Sequence, residues 1–146
     1  MKIIYKFIHK RKVEKNGTGV YSTKLLGFFS SKKKCEEAKS TYLQQPGFKD
    51  YPEDFFIEEV EADCDDYNDE CGEFESAVFY LSHEYYNGIY DIVTDLGYYS
   101  TYFKAEQSKE LYTLEPEFIE HPEGFYIAKY EIDKREWKEG FFIWEE

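Results

Sequence analysis

The sequence predicts an α+β fold made by tandem duplication of a β-β-α-β unit. Each unit is expected to be an antiparallel sheet carrying one helix, with the two related by a pseudo-two-fold axis. Three observations lead there. The stretch from Pro116 to Asp133 has a twin 70 residues earlier, from Pro46 to Asp63, with no gap between them. Between Leu26 and Asp63, 15 positions are identical at that offset. In each copy the apolar pattern reads strand, strand, helix, strand. A unit of about 70 residues buries little surface alone, so the copies are expected to form one compact body.

The elements follow in order. Residues 3–9 alternate as a strand, with Tyr5, Phe7 and His9 on one face and Ile4, Lys6 and Ile8 on the other. The polar stretch 10–23, with Asn16-Gly17 inside it, is expected to be a long hairpin loop. Residues 25–29 form the second strand, around Gly27. Ser30 or Ser31 then caps a helix that carries Cys35, Ala38 and Tyr42 on one face and stops before Pro46. Residues 55–62 form the third strand.

The second copy repeats this order, with strands at 77–83 and 93–99, a helix at 102–115, and a strand at 125–132. His83 takes the place of His9, and 85–90 form the loop around Asn87-Gly88. A short strand at 141–145 closes the chain. Phe55, Ile57, Phe125 and Ile127 are expected in the core. The domain boundaries are 1–66 for the first unit, 67–76 for an acidic linker and 77–146 for the second unit.

Charge is unevenly spread. The chain holds 18 Lys and Arg against 31 Asp and Glu, for a net charge of −13. Residues 1–49 hold 12 of the basic residues and 3 acids, so the remaining 97 positions carry −22. Residues 50–76 hold 13 acids and no Lys or Arg. A field of this sign repels nucleic acid and attracts basic partners. Aromatic content of 21% excludes an acidic disordered tail.

Cys35, Cys64 and Cys71 are an odd set, and the N-terminal stretch does not read as a secretion signal. Both features point to reduced thiols and a cytoplasmic setting. No run approaches the roughly 20 apolar residues that span a bilayer, so no membrane association is expected.

Motifs for chemistry are sparse. His9 and His83 sit at equivalent strand ends and suit an acid–base or metal pair. However, no nucleophile or orienting group stands at a motif spacing to either, so no catalytic set can be assembled. The acidic run from Asp63 to Glu73 offers oxygens for Ca²⁺. Its position six is Asn68 or Glu70, where a calcium loop needs Gly. It reads as an acidic linker, and no cofactor or metal is expected. Lys10-Arg11-Lys12 and Lys32-Lys33-Lys34 are basic enough to meet phosphate, but the acidic remainder opposes nucleic-acid binding.

The second copy reads Val78-Phe-Tyr-Leu-Ser-His-Glu, Leu96-Gly-Tyr-Tyr-Ser, Pro122-Glu-Gly-Phe-Tyr-Ile, Glu131-Ile-Asp and Trp137-Lys-Glu-Gly-Phe. This resembles a family of small uncharacterised bacterial domains. Their pattern is a strand ending in His, a Gly-x-Tyr-Ser step, a Pro-x-x-Phe strand and a closing Trp-x-x-Gly-Phe. The first copy departs from it at its end, where Tyr67 stands for Trp137. Some members resemble toxin-immunity proteins.

The expected function is therefore a non-catalytic binding protein, an immunity protein that neutralises a cognate bacterial toxin. It would act as a monomer or weak homodimer on a basic partner. The expected contact residues are Asp63, Asp65, Asp66, Asp69 and Glu70, with Tyr85, Tyr86, Tyr90 and Trp137 as anchors. The alternatives are a nucleic-acid-mimicking inhibitor of a host nuclease and a small enzyme using His9 and His83.

Overall fold

A computed structural model describes residues 2–15, 18–63 and 77–141. It is a mixed α+β structure. The strands are β1 (Lys2–Lys15), β2 (Thr18–Phe29), β3 (Phe55–Asp63), β4 (Ala77–Tyr86), β5 (Asp91–Tyr99) and β6 (Phe125–Glu131). The helices are α1 (Lys32–Tyr42) and α2 (Tyr102–Tyr112). Short 3-10 turns at Phe48–Asp50 and Pro122–Gly124 lead into β3 and β6.

The helices start for the same reason in both halves. Ser31 and Thr101 have extended backbones, and their hydroxyls accept from the amides of Lys34 and Lys104 at 3.2 Å each. Both helices stop after the conserved-offset tyrosine. The next residues close i→i+3 turns, Gln45 onto Tyr42 and Glu115 onto Tyr112, before Pro46 and Pro116. α2 therefore ends three residues short of the expected 115.

Each N-terminal hairpin carries an irregularity at one place. The β1–β2 register shifts as Phe7↔Gly27 gives way to Ile8↔Leu25. The β4–β5 register shifts as Leu81↔Gly97 gives way to Ser82↔Asp95. The extra residues are Leu26 and Leu96, so the repeated Leu-Gly pair is a bulge signature. Leu26 is fully buried against α1.

The stretch 10–23 is not a loop. The β1–β2 ladder continues through Arg11↔Ser22 and Val13↔Val20 to Lys15↔Thr18. Val, Thr and Tyr are strand formers, and cross-strand pairs can sustain a solvated ribbon despite its charge. The second hairpin likewise extends to Tyr86↔Asp91.

The expectation of a separate antiparallel sheet in each unit is corrected. The six strands are hydrogen-bonded in one order, β2-β1-β3-β5-β4-β6, and β3 pairs with β5 in parallel through Ala62↔Tyr98 and Asp63↔Tyr99. Ile132 makes the same parallel pairing with Phe28, 70 positions away in each partner. The chain forms two compact units, and each draws on both copies. One comprises Ile3–Val60 with Ile132–Glu146, the other Met1–Lys2 with Glu61–Glu131. Residues 61–63 of the first copy thus belong to the unit that holds α2, and residues 132–141 of the second copy to the unit that holds α1. Side-chain patterning cannot reveal such an exchange, because both destinations bury the same face.

In the first unit Phe7, Leu26, Phe29, Cys35, Ala38, Tyr42, Phe48 and Phe141 form one buried cluster. In the second, Leu81, Phe118 and Phe125 are buried, with Leu96, Tyr99, Tyr112 and Ile127 packed against them. Phe125 is core as expected. Phe55, Ile57 and Ile127 point the expected way but are only half-buried at the margin. Phe141 is buried, and the rest of the expected terminal strand, 142–145, lies outside the described residues.

Candidate functional site

His9 and His83 are fully buried, each with no exposed surface. His9 Nε2 lies 3.1 Å from the carbonyl oxygen of Tyr51, and His83 Nε2 lies 2.8 Å from that of His121. Tyr51 and His121 are themselves 70 positions apart. A carbonyl only accepts, so the proton must sit on Nε2 in both rings, leaving Nδ1 as a bare acceptor. Neither Nδ1 has a hydrogen-bond partner among the described residues.

Rings enclose both imidazoles. Phe48, Phe55 and Phe141 surround His9 at 4.8–5.7 Å between centroids, and Phe118 and Phe125 stand 4.6 Å from His83. Each histidine ties the turn before the third strand of its copy to the first strand. This is a structural role, and it matches the aromatic packing better than acid–base chemistry.

Burial lowers the His9 pKa from its ordinary value, helped by Lys24 and Arg11 and opposed by the Tyr51 carbonyl and Asp54. The folded state therefore binds this proton more weakly than the unfolded chain does. The contribution to stability is complete above the unfolded value near 6.5 and is lost as pH falls below it. Urea midpoints measured from pH 8 down to pH 5 should fall, and His9→Gln should flatten that fall. Identical pH dependence in the variant would refute the assignment.

The anchors expected from sequence fall in separate places. Tyr85 and Tyr86 lie on β4 opposite Ile92 and Asp91. Tyr85 is half-buried and stacks on His121 at 4.1 Å, so it is committed to the fold. Tyr86 and Tyr90 are exposed at the hairpin tip. Asn87 organises that tip, its Oδ1 accepting from the amides of Ile89 and Tyr90.

Trp137 belongs to the other unit. It is half-exposed with a φ of 53°, and the Lys24 ammonium lies 5.4 Å from its ring. Asp63 is the last residue of β3. Asp65, Asp66, Asp69 and Glu70, together with the linker that offered Ca²⁺ ligands, lie outside the described residues.

Two other features bear on chemistry. Cys35 lies on the buried face of α1, and burial raises its thiol to about 12, which keeps it protonated and unreactive. Asp133 reaches the start of α1, where its carboxylate accepts from the Ser30 amide (2.8 Å), the Ser30 hydroxyl and the Lys34 ammonium (2.9 Å). Burial alone would raise its pKa, but the bonds from Lys34 and Ser30 hold it below the usual value. Among the described residues no group of three or more His, Cys, Asp and Glu stands together as a metal site. Among them, too, no helix is long and apolar enough to cross a membrane.

Sequence reasoning missed the surface around α2. Tyr102, Phe103, Leu111, Leu114 and Ile119 are all exposed, from 52% to 73%. Their apolar character reads from sequence as core. A position-by-position comparison of the two copies carries the signal, because the first copy has Lys32, Lys33, Thr41, Gln44 and Lys49 at these places. Comparison with protein families, with curated proteins and with solved structures finds no match for this chain.

Proposed function

We propose that this protein is a non-catalytic binding protein for a basic protein partner, acting as an immunity protein that neutralises a cognate bacterial toxin. One observation carries the reading. Of the fourteen large apolar side chains that stand exposed among the described residues, ten fall between 77 and 131. That same part of the chain is acidic. Exposed rings and aliphatic groups cost solubility, and carboxylates around them favour a partner of opposite charge. Rings next to carboxylates suit a protein surface better than a row of phosphates, which places the nucleic-acid mimic second. His9 and His83, each enclosed by rings and bonded to a carbonyl, serve the fold.

The same reading takes the chain as a tandem duplication with a pseudo-two-fold relation. The matching caps and bulge leucines at one offset, with a histidine bond repeated in each copy, support that origin. It also takes the protein to be cytoplasmic and a member of the small bacterial family whose motifs it resembles.

The test is capture of the partner by affinity purification and mass spectrometry, followed by stopped-flow association. The on-rate is expected to fall steeply with salt, as the Debye length shrinks from about 10 Å at 0.1 M to about 3 Å at 1 M. The off-rate should change less. Replacing Asp63, Asp65, Asp66, Asp69 and Glu70 together by their amides should slow association further. An on-rate indifferent to salt would remove the reading.

A further inference from the structure

We infer that the outer face of α2, with the turn that follows it, is the docking surface for a protein segment presenting apolar side chains flanked by Lys or Arg. The inference rests on the binding-protein reading and names its face. Its evidence is a comparison internal to the molecule. α1 and α2 have equal length, equivalent hydroxyl caps and a tyrosine at the same last position. Their backbones make the same demands, so differences between their outer faces do not come from folding.

Five of those differences run one way. Lys32, Lys33, Thr41, Gln44 and Lys49 are exposed in the first copy, and their counterparts Tyr102, Phe103, Leu111, Leu114 and Ile119 are exposed in the second. Five solvated polar or cationic positions have become five solvated apolar ones. Such a change costs solubility and gains no burial within the chain.

The charge around them moves in parallel. Residues 32–50 carry five Lys against three acids, a net of +2. Residues 102–120 carry Lys104 and Lys109 against Glu106, Glu110, Glu115, Glu117 and Glu120, a net of −3. An apolar centre within an acidic rim is the complement of a segment with apolar anchors and basic flanks.

The surface is also concave. Lys104, Gln107, Ser108, Glu110, Leu111 and Leu114 line an open groove of about 710 Å³. Ser108 and Leu111 continue it into a second groove beside Tyr99 and Tyr112. Tyr102, the first residue of α2, stands outside the groove lining and is braced. Its hydroxyl donates to Glu106 at 2.7 Å and its ring meets Phe79 edge-on. An open groove with two exposed leucines in its lining suits an amphipathic helix laid along α2.

The test uses the full chain, ¹⁵N-labelled, titrated with two synthetic amphipathic helical peptides. They share one Leu face and differ only in Lys or Glu flanks. The Lys-flanked peptide is expected to shift amides of residues 102–120, and the Glu-flanked peptide to bind at least about tenfold more weakly. A variant carrying the first copy's residues, Tyr102→Lys, Phe103→Lys, Leu111→Thr, Leu114→Gln and Ile119→Lys, should lose roughly tenfold or more in affinity. Should it fail to fold, Leu111→Thr with Leu114→Gln changes only the two most exposed aliphatic groups of this face and reads the same loss.

Equal binding of both peptides, or shifts confined to the 84–91 hairpin tip, would overturn the proposal. So would dilution-dependent shifts of 102–120 without peptide, which would make the occupant a second copy. Unchanged, salt-sensitive binding of the Lys-flanked peptide to the substituted chain would sink the α2 face alone. No binding of the basic peptide anywhere would sink the binding-protein reading with it.

Discussion

Phe141→Ala is expected to destabilise the folded chain by about 3–5 kcal/mol, the range for removing a buried aromatic ring. Phe141 is 6% exposed although it lies near the end of the exit segment. It meets Phe48 edge-on at 4.9 Å, His9 at 5.7 Å and Tyr51 at 6.5 Å. The Lys24 ammonium lies 4.1 Å from its ring, and burial lowers the pKa of that lysine.

The backbone fixes how the ring arrives. Phe141 N donates to Pro46 O at 2.9 Å, and Gly47 and Gly140 both hold φ near +80° where the two segments touch. A Cβ on Gly140 would stand 2.9 Å from Pro46 N, so this close approach requires glycine. Urea denaturation of wild type and variant measures the loss. An unchanged midpoint would mean that the exit segment does not hold the first unit together.

Tyr42→Ala should cost a similar amount, about 3–5 kcal/mol, and clearly more than Tyr112→Ala at the matching position. Tyr42 is fully buried, and its hydroxyl is shared between the carbonyls of Leu26 and Glu136. Burial raises its pKa, so the hydroxyl remains a donor at neutral pH. Tyr112 is half-buried and donates to Leu96 O at 3.2 Å.

The difference is the exit segment, which places Glu136 over Tyr42 and joins Gln45 to the Lys138 carbonyl. Tyr42→Phe separates the two contributions. It keeps the ring and removes the donor from the Glu136 carbonyl, while Leu26 O still accepts from Glu136 N at 2.7 Å, for a loss of about 1–3 kcal/mol. Equal losses for Tyr42→Ala and Tyr112→Ala would refute the role given to Glu136.

Much of this was legible in the amino-acid order because it depends on near neighbours. Alternation marked the strands, Ser31 marked a helix start, and Pro46 and Pro116 bounded the helices. The 70-residue offset paired Tyr42 with Tyr112 and Phe55 with Phe125 before any contact was known. The 10–23 stretch reads as a loop because of its charged residues and Asn-Gly, whereas a two-stranded ribbon carries them through cross-strand pairing.

The amino-acid order by itself determined the α+β class, the repeated element order, the caps and the charge imbalance, all of which rest on local spacing and composition. Only the tertiary structure decided that six strands share one hydrogen-bonded order, that residues 132–141 close the unit holding α1, and that Tyr102, Phe103, Leu111, Leu114 and Ile119 face solvent. The reason is that a helix records which residues share a face. It does not record whether that face meets the core, a distant segment or water.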